Sequence, residues 1–139
     1  MDGKGAYLNG GRWNSMGVPM IYASSSASLA FLELLRRFLP RQIPLDFCLV
    51  EYSLPDDVGI EVADLPNLPE DWDSAQHGGA TQKLGDSFIN ANKKLLLKVP
   101  SVLLPSSFHY NINPLHPDVD KIKITKIDEH PMNLELFVK

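Results

Sequence analysis

The chain has 139 residues, of which 44% are hydrophobic, and these proportions predict a single domain with one hydrophobic core. Its formal net charge of −4 argues against a surface that neutralises nucleic-acid phosphates. No apolar run reaches the ~20 residues of a membrane span, and the N-terminus lacks the apolar core of a signal peptide. We therefore expect a cytoplasmic protein that binds neither nucleic acid nor membrane directly. Its single cysteine, Cys48, excludes a disulfide framework and lies in an apolar stretch typical of a buried strand.

The first third of the chain predicts a loop, a strand and a helix. Residues 3–17 contain five of the nine glycines, which predicts a loop that turns tightly or approaches a ligand closely. Residues 18–23 are typical of a short strand. The serines at residues 24–26 can cap a helix, and apolar residues at helical spacing extend it over residues 27–39 until Pro40.

The middle of the chain predicts two strands, a connector and a second helix. The strands are expected over residues 45–54 and 59–62. A connector rich in Pro, Asp and Gly follows over residues 65–79, with Trp72 as its expected anchor. Residues 81–92 have helical character because their apolar side chains can share one face.

The last third of the chain is rich in strand patterns. Residues 95–105 are apolar enough for a central strand that its prolines interrupt or bound. Alternating apolar residues predict two terminal strands, one over residues 122–127 and one over residues 134–138. Strands outnumber helices and are not interleaved with them as parallel-sheet units require, so we expect the α+β class.

Two residues near the N-terminus are candidates for nucleotide binding. Arg12, in the segment Gly-Gly-Arg-Trp-Asn, can present a charged planar fork to a phosphate while the glycines let the backbone come near. The alternative is a surface arginine stacked on Trp13. Tyr22 can stack on a flat ligand, although most tyrosines at a strand end are half-buried packing residues. The pattern leaves both alternatives open.

Glu33 is a candidate catalytic carboxylate because apolar residues flank it on both sides. Placing a carboxylate near a core is costly without a partner or a purpose. Composition alone favours a salt bridge to Arg36 or Arg37, which lie at i+3 and i+4. The alternative is catalytic, since a carboxylate can stabilise the sugar cation formed when a bond between nicotinamide and ribose breaks, with no metal.

Several polar residues of the C-terminal half have both structural and ligand-binding interpretations. Ser101 can bond a sugar hydroxyl or an amide, although a serine at a strand edge is usually a structural partner. Asn111 and Asn113 can shape a turn or bind a ligand, and the turn is favoured. His109 and His116 lack the spacing of a metal-binding pair, so a zinc enzyme has little support.

Taken together, these motifs resemble the RES-domain family, which is named for an arginine, a glutamate and a serine. Members of that family are toxins of bacterial toxin–antitoxin pairs. The resemblance runs through nearly the whole chain, and the order of the motifs makes chance agreement improbable. The matching segments are residues 3–6, residues 10–14, Gly17, Tyr22, residues 30–33, residues 84–86, residues 99–101 and residues 113–117.

The resemblance implies an ADP-ribosyltransferase-like fold, with small twisted sheets and a few helices around an NAD cleft. By analogy, Arg12 would hold an NAD phosphate and Tyr22 would stack on nicotinamide. Glu33 would support the ribosyl cation, Ser101 would fix the ribose or the amide, and Asn113 would belong to the NAD-binding residues. Family members usually carry a further strand before residues 3–6. The resemblance therefore implies one RES domain over residues 1–139 that lacks this strand.

The same resemblance implies an enzyme that consumes NAD without a metal. The acceptor is water or phosphate if free NAD is destroyed, which we favour, or a protein side chain if ADP-ribose is transferred. A further alternative is an inactive member that only binds NAD or its partner. The implied partner is a helix-turn-helix, Xre-like antitoxin that blocks the cleft and reads DNA for the pair. A homodimer within that larger complex stays an open alternative.

Overall fold

A computed structural model describes residues 2–38, 47–75, 79–129 and 131–133. Its helices and strands, in chain order, are α1 (Lys4–Asn9), β1 (Ile21–Ser24), α2 (Ala27–Arg37), β2 (Leu49–Ser53), β3 (Ile60–Val62), α3 (Ala80–Ala91), β4 (Leu96–Pro100), β5 (Phe108–Ile112) and β6 (Lys123–Asp128). Two short 3₁₀ helices cover Leu65–Asn67 and Pro117–Lys121. The predicted α+β class is confirmed, because small sheets and a few helices are combined without regular alternation.

The strands form two sheets. In the larger sheet the order is β1-β5-β4-β3, with β5 antiparallel to both of its neighbours and β3 parallel to β4. The smaller sheet pairs β2 with β6 in antiparallel register, with a shift between Glu51 and Tyr52. Strand β5 is therefore internal, and alternate side chains along it point to opposite faces of the larger sheet.

Each face of the larger sheet covers its own hydrophobic cluster. On one face, Leu97 and Val99 of β4 pack with Trp13, Met20 and Phe88, which brings the N-terminal segment and α3 against the sheet. The other face joins the larger sheet to the smaller one. Its cluster contains Leu96, Ile112 and Ile122, against which Tyr52 of β2 packs. Polar residues of β1 and β5 line one cleft together with residues of the N-terminal loop and α2.

Helix α2 begins where the sequence predicts. The Ser26 hydroxyl accepts a 3.2 Å hydrogen bond from the backbone N–H of Leu29 and caps the first turn. Arg36 and Arg37 lie in the last turn, where positive charge is favourable to the helix dipole. The helix ends at Arg37, slightly before the predicted end, and Pro40 lies outside the described residues.

Helix α1 corrects the prediction of an uninterrupted loop over residues 3–17. Gly3 and Gly10 flank the helix with positive φ values of 65° and 67°, so these glycines act at helix ends. The helix has only six residues, too few to be stable through propensity alone. Contacts with the following loop hold it, including a 2.8 Å hydrogen bond from the Gly17 N–H to the Tyr7 carbonyl.

The structure also corrects two smaller predictions, those for Cys48 and Asn111. Cys48 is exposed and lies one residue before β2, which begins at Leu49. The central strand expected over residues 95–105 is bounded by Pro100, as its prolines predict, and a turn follows. Asn111 lies in β5 and not in a turn, since it pairs with both neighbouring strands. The terminal strand predicted over residues 134–138 lies outside the described residues.

The connector and the second helix agree with the sequence. Trp72 is buried in the cluster that contains Trp13, so it anchors the connector as expected. Helix α3 covers Ala80–Ala91 and buries Phe88 and Ile89 on one face. The connector therefore crosses the N-terminal loop before α3 begins.

Candidate active site

The loop after α1 is organised around Asn14, whose side chain is fully buried. Its Nδ2 donates hydrogen bonds of 2.9 Å to the carbonyl oxygens of Ala6 and Val18. Its Oδ1 accepts a 2.6 Å hydrogen bond from the Tyr22 hydroxyl. The backbone N–H of Gly11 donates to the Asn14 carbonyl at 2.9 Å. One side chain thus joins α1, the loop and β1.

Tyr22 has a buried tip and an accessible ring. Its hydroxyl accepts a 3.1 Å hydrogen bond from the Trp13 N–H while it donates to Asn14. Burial raises the pKa of Tyr22 to about 12, so the hydroxyl keeps its proton at neutral pH. Yet 43% of the residue's surface is exposed, which leaves the ring free to contact a ligand. A Cβ at Gly11 would lie 2.5 Å from this hydroxyl, so glycine permits the close approach.

Helix α3 holds the N-terminal loop from the other side. The Gln82 side chain donates to two carbonyl oxygens of residues 10–17, at 2.9 and 3.2 Å, and Asp86 accepts a 2.9 Å hydrogen bond from a backbone N–H of the same loop. Between them, a Cβ at Gly85 would lie 1.7 Å from the Trp13 carbonyl oxygen. The glycine of the segment at residues 84–86 therefore lets the helix touch the loop backbone.

Arg12 links the loop to the connector. Its guanidinium donates to the carbonyl oxygens of Trp72 at 2.5 Å and Ser74 at 3.0 Å. Burial, followed by the nearby positive charge of Arg36, lowers the pKa of Arg12, but an arginine stays charged at neutral pH. The two hydrogen bonds use two of its five N–H donors, so the fork keeps donors for an anion.

Glu33 is bonded at both carboxylate oxygens. Its Oε1 lies 3.1 Å from His109 Nε2, and its Oε2 lies 3.4 Å from Arg36 Nε. The predicted pairing with Arg36 is thus confirmed. The hydrogen bond with His109 is the largest influence on the pKa of Glu33 and, against the opposing effect of burial, holds it below its usual value. Glu33 is therefore ionised at neutral pH.

His109 connects Glu33 to β1. Its Nδ1 lies 3.0 Å from the Ser24 hydroxyl oxygen, while its Nε2 faces Glu33. In the neutral tautomer with the proton on Nε2, the ring donates to the carboxylate and accepts from the serine. A chain of hydroxyl, imidazole and carboxylate thereby fixes the orientation of Glu33.

These side chains share a cleft of about 750 Å³. The strand register explains their proximity, because Tyr22 lies opposite Asn111 and Ser24 lies opposite His109 on adjacent strands. Cross-strand partners point to the same face of a sheet. The polar lining residues include Arg12, Tyr22, Ser24, Glu33, His109 and Asn111. The structure therefore brings together three of the residues that the sequence predicts, namely Arg12, Tyr22 and Glu33.

Two other residues that the sequence predicts for the site, Ser101 and Asn113, are not among the described residues that line the cleft. The Ser101 side chain is fully buried, and its Oγ accepts hydrogen bonds of 3.2 and 3.3 Å from two N–H groups of the following turn. Asn113 accepts a 2.9 Å hydrogen bond from the Leu115 N–H and donates to Asn92 at 2.9 Å. Their roles toward NAD stay predictions.

The sequence did not identify His109 and Asn111 as site residues. The spacing of His109 bears only on zinc binding, and the sequence around Asn111 favours a turn. One signal in the sequence could have identified them. His109 and Asn111 alternate around Tyr110, and this spacing is typical of two side chains on the same face of a strand. Their position beside β1 depends on strand pairing, which the sequence pattern does not contain.

Within residues 2–38, 47–75, 79–129 and 131–133, no group of three His, Cys, Asp or Glu side chains could hold a metal ion. In the same ranges no helix combines the length and apolar character that crossing a bilayer demands.

A solved structure has the same fold. A chain of the crystal structure of the M. tuberculosis MbcT–MbcA toxin–antitoxin complex superimposes with a TM-score of 0.78. The match covers 99% of this chain and 79% of that one, at 17% sequence identity. The low identity restricts this similarity to the fold, which agrees with the resemblance inferred from the sequence.

Curated relatives are similar in sequence over most of their length. The Prs ADP-ribosylating toxin of Sphingobium sp. (strain YBL2) is 40% identical over 129 residues, covering 91% of this chain and 80% of the relative. Toxin Res of Pseudomonas putida (strain KT2440) is 38% identical over 133 residues, with coverages of 94% and 89%. The RES domain family itself matches residues 1–135. This chain therefore belongs to the RES domain family.

Proposed function

We propose that this protein is the toxin of a bacterial toxin–antitoxin pair and that it degrades NAD in the cytoplasm. The reaction cleaves the bond between nicotinamide and ribose. The observation that carries the proposal is that Arg12, Tyr22 and Glu33 line one cleft, although they come from a loop, a strand and a helix. The toxin role is supported by the family and by the names of relatives, including the Prs ADP-ribosylating toxin and Toxin Res.

Glu33 is the proposed catalytic carboxylate. When the bond breaks, its electron pair moves to the nicotinamide ring nitrogen, and positive charge develops on the ribose. A preoriented carboxylate stabilises that charge most strongly when it is already ionised. The lowered pKa of Glu33 and its hydrogen bond with His109 meet both conditions.

Arg12 and Tyr22 are the proposed binding residues. Arg12 keeps guanidinium donors for a phosphate while its bonds to Trp72 and Ser74 hold it in place. Tyr22 offers its exposed ring to the nicotinamide, and its bonded hydroxyl keeps that ring fixed. We further propose that Ser101 contacts the ribose or the amide, since it lies between the two cleft residues Pro100 and Val102.

Expression in bacteria tests this proposal. Cells that produce the wild type are expected to stop growing and to lose NAD, whereas Glu33→Gln, which keeps the size of the side chain, should spare both. Glu61→Gln is the matched control because Glu61 is exposed on β3 and outside the cleft lining. The proposal is wrong if growth stops at constant NAD, or if Glu33→Gln depletes NAD as the wild type does.

A second candidate function is ADP-ribosyl transfer to a protein, which is favoured by the name of the Sphingobium relative, the Prs ADP-ribosylating toxin. The two functions share the bond that breaks and differ in the acceptor. In the favoured reaction an oxygen of water or phosphate attacks the ribosyl carbon. NAD labelled in its adenylate half distinguishes them, because hydrolysis or phosphorolysis leaves the label in a small molecule and transfer moves it to protein.

The proposed partner is a helix-turn-helix, Xre-like antitoxin that covers the cleft. The fold similarity to a chain from a toxin–antitoxin complex supports an antitoxin partner. Coexpression with the protein encoded beside this gene is expected to restore growth and to yield a stable complex. Growth arrest that persists in the presence of that protein would contradict the partner assignment.

A further inference from the structure

Asn111 occupies a central position in the larger sheet and on the wall of the cleft. It lies on β5 between Tyr22 of β1 and Leu97 of β4. Its side chain is fully buried, and it is one of the residues that line the cleft. The neighbouring position on this face, Leu97, belongs to the hydrophobic core. The amide of Asn111 therefore lies between the tyrosine of β1 and an apolar core position of β4.

Among the residues that the structure describes, the side chain of Asn111 has no hydrogen-bond partner at either Nδ2 or Oδ1. Buried polar atoms in folded proteins are almost always bonded, so such a pair of atoms needs an explanation. The other buried asparagines, Asn14 and Asn113, bond through both side-chain ends. Among the described residues, Thr81 Oγ1 is also unpartnered, but Thr81 is not in the cleft lining.

The donor and acceptor atoms of the amide restrict which ligand groups can form hydrogen bonds with both of them. Nδ2 needs an acceptor and Oδ1 needs a donor, and the two atoms lie side by side in one plane. A phosphate or a carboxylate has acceptors only and would leave Oδ1 unbonded. A primary carboxamide presents both a donor and an acceptor in one plane. The cross-strand partner Tyr22 adds an exposed aromatic ring, which suits a flat ring bearing that carboxamide.

We propose that Asn111 recognises the carboxamide of the nicotinamide ring and selects amidated over deamidated substrate. This inference rests on the proposed cleavage of NAD, and it adds a residue that recognises the leaving group, nicotinamide. A nicotinic acid ring carries a carboxylate in place of the carboxamide, so it offers Oδ1 no donor and places negative charge against it. In the ligand-free protein the unbonded amide lowers the stability of the fold, and this cost is removed when the ligand binds.

Two isosteric variants of the full chain test the proposal. Asn111→Leu removes the amide from the cleft, and Thr81→Val removes the other unpartnered polar atom, which lies outside it. For each protein, kcat/KM is measured with NAD and with nicotinic acid adenine dinucleotide, and Tm is measured without ligand. The wild type should prefer NAD by about tenfold or more, because sites built to hydrogen-bond a group reject analogues that lack it.

Both variants are expected to raise Tm, since each removes an unbonded buried polar group. Only Asn111→Leu should lose the preference for NAD, while Thr81→Val keeps it. Equal kcat/KM of the wild type for the two dinucleotides overturns the inference, and so does a preference that survives in Asn111→Leu. Both results leave NAD cleavage intact and so are distinct from failure of the proposed function.

Binding of the free bases gives a readout that needs no turnover. Titrations followed by NMR should show that nicotinamide binds the wild type more tightly than nicotinate does, with the difference lost in Asn111→Leu. Equal affinity for the two bases overturns the inference. If the wild type fails to cleave NAD, the proposed function fails, and the titration still decides whether Asn111 recognises the carboxamide.

Discussion

Asn14 and Asn111 are buried asparagines with opposite surroundings. Asn14 bonds through both ends of its side chain and thereby joins α1, the loop and β1. Asn111 lines the cleft, and within the described part of the chain neither end of its side chain is hydrogen-bonded. A bonded buried amide holds a structure together, whereas an unbonded one costs stability and is retained where a ligand can use it.

Replacing Asn14 is expected to loosen the loop that carries Arg12. Asn14→Ala leaves the carbonyls of Ala6 and Val18 and the Tyr22 hydroxyl without their partner. We expect the free energy of unfolding in urea to fall by about 3 kcal/mol, since each buried group left unbonded costs ~1–3 kcal/mol. Asn9→Ala is the control, because Asn9 is exposed and bonds only within α1. Equal losses in both variants would contradict this role for Asn14.

The carboxylate of Glu33 is expected to make stability depend on pH. Its pKa is lowered in the folded protein, chiefly by the hydrogen bond with His109. Such a group stabilises the fold above its unfolded pKa, and this stabilisation is lost as the pH falls through the folded pKa. Glu33→Gln should therefore be less stable than the wild type at pH 7, with a difference that shrinks below pH 4.5, the ordinary value.

Urea unfolding at pH 7 and pH 3 measures that difference. Glu61→Gln, on the exposed β3, corrects for the general effect of removing one negative charge. A difference between wild type and Glu33→Gln that is the same at both pH values would show that the carboxylate gains no stabilisation from His109.

At the scale of single residues, the sequence could predict side-chain contacts between residues close in the chain but not contacts between distant ones. The contact between Glu33 and Arg36 spans three residues of one helix, so helical spacing predicts it. The contact between Glu33 and His109 spans 76 residues and exists only because β5 lies beside β1. Resemblance to a family singled out Arg12, Tyr22 and Glu33, whereas composition left each of them with a structural alternative.

At the scale of elements, α3 acts as a clamp on the N-terminal loop through Gln82, Gly85 and Asp86. The sequence predicts this helix from its apolar face but does not predict the contact between Gly85 and the Trp13 carbonyl. Helix α1 was missed because a helix of six residues depends on tertiary contacts. Strand β5 was missed because its polar residues, among them Asn111, are typical of turns when considered alone.

Two glycine-to-alanine variants separate helix propensity from packing. Gly85→Ala places a Cβ 1.7 Å from the Trp13 carbonyl oxygen, so we expect a loss of about 2 kcal/mol in the free energy of unfolding despite better propensity. Gly5→Ala in α1 meets nothing within 4 Å and should gain up to about 1 kcal/mol. Thermal and urea unfolding measure both. A neutral or stabilising Gly85→Ala would contradict the clamp.

At the scale of the molecule, the cleft lies where the larger sheet, the smaller sheet, α2 and the N-terminal loop meet. Leu96 and Ile112 of the larger sheet belong to the hydrophobic cluster against which Tyr52 of the smaller sheet packs, and all three also line the cleft. Polar residues of β1 and β5 line the same cleft together with residues of the loop and α2. The α+β class could be predicted from the order of strand and helix patterns. The strand order could not, because it depends on which distant segments pair.

Release of nicotinamide from NAD by the purified full chain tests the central claim most directly. We predict that the wild type releases nicotinamide. The Glu33→Gln variant should release it at least about a hundredfold more slowly, because a preorganised electrostatic contact in the transition state is lost. Circular dichroism confirms that both proteins are folded. A folded wild type that releases no nicotinamide, or a Glu33→Gln variant that releases it at the wild-type rate, would contradict the account.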